Sequence, residues 1–185
     1  ITAPAAAEED VTGLHVLPGL IDSHVHVSGW MGGAAGHNML ALAGVTTALD
    51  MAGPIDSVMD IAATTGTGLT LACIDYVRPG HTVDTTDPQM DELQDALVTA
   101  RRAGAVGLKV LGGHFPLTPA GSARVIELCA GEGAHVAFHA GTLDTPQNMK
   151  GLAQACELAA GHPLQMPHVN SYSRGFEGPA IQEAY

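Results

Sequence analysis

Val16-Leu17-Pro18-Gly19-Leu20-Ile21-Asp22-Ser23-His24-Val25-His26 is a short apolar run that closes on two histidines one residue apart. Side chains alternate across the two faces of a strand, so residues two apart point the same way. If the run is a strand, His24 and His26 project together from its C-terminal end, as two imidazoles able to share one divalent cation. A His-x-His pair on an exposed strand edge has the same spacing. The rest of the chain has to decide between the two.

Downstream, apolar runs alternate with helical patterns. A Gly-rich loop from Ser28 to Gly36 leads into a short helix from His37 to Ala43, stopped by Gly44. Val45 to Met51 opens with β-branched residues and reads as a second strand. Pro54, tolerated in a first turn, opens a helix to about Thr65, and Gly68 to Val77 is a third strand. The strongest helix runs from Asp87 to Ala103. Asp87-Pro88 caps it, Asp91, Glu92 and Asp95 fill its early turns, and Arg101 and Arg102 end it, an order that complements the helix dipole. Met90, Leu93, Leu97 and Val98 form its buried stripe. Ala105 to Leu111 is the fourth strand, Thr118 to Gly131 a helix, His135 to His139 the fifth strand, Thr145 to Ala160 a helix and Pro163 to Val169 the sixth strand.

That rhythm implies a parallel sheet with right-handed crossovers. No Gly-x-Gly-x-x-Gly follows any strand, so the phosphate signature of a nucleotide-binding open sheet is missing. In the fourth strand Lys109 alternates with Leu108 and Val110, and in the fifth His139 alternates with Val136 and Phe138. Lys109 and His139 therefore face away from the helices, while the sixth strand ends on His168.

The 185 residues carry a net charge of −12 with seven Lys+Arg, which argues against nucleic acid or an anionic membrane as partner. Cys73, Cys129 and Cys156 are odd in number and lack Cys-x-x-Cys spacing, so they read as packing residues of a cytoplasmic protein rather than as a disulfide framework or zinc knuckle. No uncharged apolar run reaches the roughly 18 residues of a membrane span.

The string Pro18-Gly19 … Asp22 … His24-Val25-His26, together with Lys109, His139 and His168 after later strands, resembles the amidohydrolase superfamily, and within it the binuclear carboxylated-lysine type that includes hydantoinases and dihydroorotases. The resemblance runs from Val16 to about Gly175. It implies an α/β fold, an incomplete TIM-type (β/α)8 barrel with about six βα units present, since a full barrel takes about 250 residues. Residues 1–13 would be a connector from a flanking β-sandwich, and 14–185 a partial hydrolase barrel. The implied ligands are His24, His26, Lys109, His139 and His168 around two divalent ions, zinc by default. A carbamate formed on Lys109 from carbon dioxide would bridge them. An ammonium beside two cations would be repelled, whereas the carbamate is an anion.

The implied reaction is hydrolysis of an amide or cyclic-amide C–N bond in a small molecule, with a metal-bridging hydroxide as nucleophile. The family's acid/base aspartate follows the eighth strand, beyond residue 185, so no catalytic acid or base is assigned and residues 1–185 alone are expected to be inactive. His114 and Arg174 are candidate substrate contacts, Arg174 for a carboxylate. His15, His37, His81, His135 and His162 read as loop or surface residues. Two alternatives stand beside this reading. A one-metal aminohydrolase that deaminates rings would lack the bridging lysine and carry His-x-x-Glu, whereas His139 is followed by Ala140-Gly141-Thr142. A non-catalytic barrel piece or assembly subunit would leave open strand edges. Homo-oligomerisation of the full-length protein is left open.

Overall fold

The computed structural model describes residues 7–172. Residues 7–19 form no helix or strand and are exposed. The elements then follow as β1 (Leu20–Val25), α1 (Gly33–Leu42), β2 (Val45–Asp50), α2 (Ile55–Thr65), β3 (Thr70–Cys73), β4 (Asp75–Val77), α3 (Met90–Ala103), β5 (Gly107–Leu111), α4 (Pro119–Gly131), β6 (His135–His139), α5 (Met149–Ala159) and α6 (Val169–Tyr172). Every strand pairing is parallel, in the orders β1-β2-β3 and β4-β5-β6.

Gly68 to Val77 was expected as one strand and instead starts at Thr70 and breaks at Ile74, where the run changes partner from β2 to β5. The break is narrow. Ile74 N–H donates to Asp50 O (3.0 Å) and Val106 N–H donates to Cys73 O (2.8 Å), so the two sheets join through this run.

The expected sixth strand is a correction. Only Gln165 pairs with β6: its N–H donates to Val136 O (3.1 Å), and its carbonyl accepts from Phe138 N–H (2.9 Å). Pro163 and Pro167 on either side have no N–H to give, which stops the ladder after one rung. Val169–Tyr172, whose first residue was expected to end that strand, is a helical turn.

The helices pack on one face. Leu108 and Val110 of β5 and Val136 and Phe138 of β6 join Leu93 and Leu97 of α3 and Val125, Ile126 and Cys129 of α4 in the main core. On the other face, Tyr76, Lys109 and Ala137 stand in register across β4, β5 and β6. Three local expectations also change. Asp87 does not cap α3; its Oδ1 accepts instead from Thr118 Oγ1 (2.6 Å) and Arg124 Nη1 (3.0 Å), and Gln89 is the N-cap residue. His37 is buried, because α1 begins at Gly33 and carries it inward. Cys156 is exposed, whereas Cys73 and Cys129 are packed.

Candidate metal centre

β1 ends one residue before His26, and its last turn is irregular. The pairing with β2 slips between Asp22 and Val25, and Asp22 Oδ1 accepts from the His24 backbone N–H (3.1 Å), bracing that slip. Asp22 thus supports the backbone of the pair rather than an imidazole. Beyond His26 the chain is held by Asp50 at the end of β2, whose Oδ2 accepts from Val27 N–H (2.7 Å). The same carboxylate takes the N–H groups of Ala52 (3.1 Å) and Gly53 (2.7 Å) through Oδ1.

Four imidazoles gather here from remote parts of the chain. The His24 ring centroid lies 5.2 Å from that of His26 and 4.9 Å from that of His168, and His168 lies 4.7 Å from His139. His168 reaches the group because the chain turns at it with a left-handed φ of 68°, its carbonyl accepting from Ser171 N–H and Tyr172 N–H. Lys109 joins His26, His139 and His168 in the wall of one cavity of about 420 Å³. Trp30 and Met31 from the loop after β1, Leu111 at the end of β5 and Phe115 from the loop after it complete much of the wall. His114 also lines it, with its ring 5.6 Å from His139. Arg174 lies outside the described residues. A larger groove of about 600 Å³ between α2 and α3 is rich in carboxylates and contains none of the five side chains.

Burial sets the charge state. Desolvation, then the charge of Lys109, pushes His24 down to about 4. His139 also falls to about 4, chiefly by desolvation. His26 and His168 are lowered for the same first reason. At neutral pH these rings keep the lone pair that a metal requires. Lys109, 2% exposed, is pushed down to about 8 by desolvation, against a pull upward from Asp50. No carboxylate among the described residues forms an ion pair with it.

The donor set suits a divalent cation in type. Imidazole nitrogens are borderline ligands for zinc and its neighbours, and His26 Nδ1 is buried with no hydrogen-bond partner. The set is not yet closed, because among the described residues no three His, Cys, Asp or Glu side chains converge as a formed metal site. The rings meet edge to face instead, His24 on His26 at 84°. Four imidazoles and a buried amine gain little from one another in the absence of a cation.

Two contacts had no signal in the sequence. Gln147 Oε1 lies 2.8 Å from His139 Nε2, and Tyr172 packs its ring 5.9 Å from His139 while its hydroxyl oxygen accepts from Ala140 N–H (2.9 Å). Gln147 sits in the loop after β6 and Tyr172 in the four-residue α6, both too short or irregular for periodicity to point to them. No helix among the described residues is long and apolar enough to cross a membrane.

No family model matches the chain. It is 30% identical over 172 residues to an allantoinase of Deinococcus radiodurans, a match covering 84% of this chain and 36% of that protein. The chain therefore spans about a third of the length of this curated relative. Among solved structures, ochratoxinase of A. niger superposes with a TM-score of 0.52 at 16% identity over 90% of this chain and 49% of that one. An adenine deaminase from Arthrobacter aurescens gives a TM-score of 0.48 at 17% identity over 71% of this chain and 42% of that one.

Proposed function

We propose that this chain, which belongs to the amidohydrolase superfamily, carries the metal-binding face of a barrel hydrolase acting on amide or cyclic-amide C–N bonds of small molecules. The observation that carries the reading is the meeting of side chains remote in sequence: His26, Lys109, His139 and His168 line one cavity, and the His24 ring packs against those of His26 and His168. The allantoinase likeness favours the cyclic-amide class.

His24, His26, His139 and His168 would hold two divalent ions, zinc by their donor chemistry, and Lys109 would bridge them as a carbamate. Bound metal supplies Lewis-acid polarisation of the substrate carbonyl and activation of water at neutral pH. With its pKa near 8, Lys109 is neutral in roughly a tenth of molecules at pH 7. The neutral amine adds to the carbon of carbon dioxide, forming an N–C bond and releasing one proton to solvent. One negative charge then stands where an ammonium would repel the cations. Trp30, Met31, Leu111 and Phe115 give the cavity an apolar side, which fits an apolar substituent on the substrate. His114, on the same wall, is placed to contact the substrate.

Elemental analysis of the purified chain tests this. Two metal ions per chain are expected, falling to one or none in Lys109→Ala. An unchanged count on substitution would remove the lysine from the site.

A further inference from the structure

The Nε2 of His139 is already occupied. It faces Gln147 Oε1 at 2.8 Å, from the loop between β6 and α5. An amide oxygen only accepts, so the ring nitrogen facing it must carry the proton, and the other ring nitrogen keeps its lone pair. A neutral imidazole ligates through one nitrogen, and the hydrogen bond at the other decides which.

The arrangement is held from both sides. Thr142 N–H donates to Thr145 O (2.8 Å), and Asn148 Oδ1 accepts from Lys150 N–H (3.0 Å) and Gly151 N–H (3.3 Å), fixing the loop just before and just after Gln147. Above the pair lies Gly113, in the loop after β5. A Cβ there would overlap Gln147 Oε1 and come within 2.6 Å of His139 Nε2. Glycine at 113 leaves the slot in which the amide meets the ring.

We propose that Gln147 is a positioning residue that fixes His139 as the Nε2–H tautomer and thereby presents Nδ1 as its ligand nitrogen. The purpose of the contact rests on the metal-centre reading; its geometry does not.

Long-range ¹H–¹⁵N correlation on the metal-free chain, with His139 assigned by the signal lost in His139→Asn, reads the tautomer directly. Zn²⁺ titration against a competing chelator reads affinity. The wild type is expected to show His139 as Nε2–H. Gln147→Leu is expected to mix the tautomers and weaken Zn²⁺ binding about 10–100-fold. Gln147→Glu, which keeps an acceptor oxygen, should restore both. Gly113→Ala should push the flexible amide aside and behave like Gln147→Leu. A wild-type His139 protonated on Nδ1, or a Gln147→Leu chain with an unchanged tautomer, would overturn the inference. If Zn²⁺ fails to bind the wild type, the metal reading falls, and the tautomer of His139 still decides the role of Gln147.

Discussion

Lys109 is a buried amine beside four half-buried imidazoles, and without metal it works against the fold. Its pKa of about 8 in the folded chain, against 10.5 when exposed, means that the unfolded chain binds the extra proton between those values. Stability of the metal-free protein therefore rises with pH from about 8 to 10.5 and carries the full penalty below 8. Lys109→Met, similar in length and uncharged, is expected to stabilise the metal-free chain at pH 7 by about 3 kcal/mol, an advantage that vanishes above pH 10.5. Urea unfolding in chelator at pH 7 and pH 10.5 measures it; equal midpoints for both proteins at pH 7 would mean the ammonium is not desolvated. At this scale the sequence was readable wherever strand alternation decided a side chain's direction. Lys109 between Leu108 and Val110, and His139 after Phe138, are such cases. Gln147 was not readable, because a loop has no period. His37 was misread because Gly33 and Gly36, which look like loop, in fact begin α1.

Between elements, the tie that matters most to the centre is Asp50. Fully buried at the end of β2, it gathers three backbone N–H groups, from Val27, Ala52 and Gly53, and so fixes the segment that leaves His26. Asp50→Ala would strand three buried donors and is expected to cost about 3–5 kcal/mol, with weaker Zn²⁺ binding because the β1 loop is no longer held. Asp50→Asn keeps one acceptor oxygen and should cost less. Denaturant midpoints with and without Zn²⁺ separate the two effects, and an alanine variant as stable as the wild type would show that water satisfies these donors. The order of strands and helices was legible from the apolar rhythm, and the helix ends followed Thr118, Gly104 and Pro119. What failed were features set by partners remote in sequence. Asp87 looks like a cap until Thr118 and Arg124 claim it, and residues 163–169 look like a strand until their prolines are asked for N–H groups. The break at Ile74 follows from a change of neighbour, from β2 to β5, that no local pattern records.

Across the whole molecule, the parallel strands run in sequence order, so the residues that follow their C-terminal ends share one rim; there the imidazoles, Lys109 and the apolar wall meet. That wall has a consequence for turnover. Among the described residues lining the cavity there is no Asp or Glu, and a departing amide nitrogen needs a proton. General acid–base catalysis by a placed group contributes about 10²–10⁴-fold, so a site with metal donors but no placed acid should bind cations far better than it turns over. Residues 1–185 loaded with Zn²⁺ are therefore expected to hold their full complement of metal yet hydrolyse a cyclic amide at least ~100-fold more slowly than the full-length Deinococcus radiodurans allantoinase. Metal content and kcat measured on one preparation test both halves together. Comparable turnover would place the proton donor within this wall. His114, beside His139 and outside the proposed ligand set, would then be the first group to substitute, since His114→Ala should abolish that turnover while leaving the metal count unchanged.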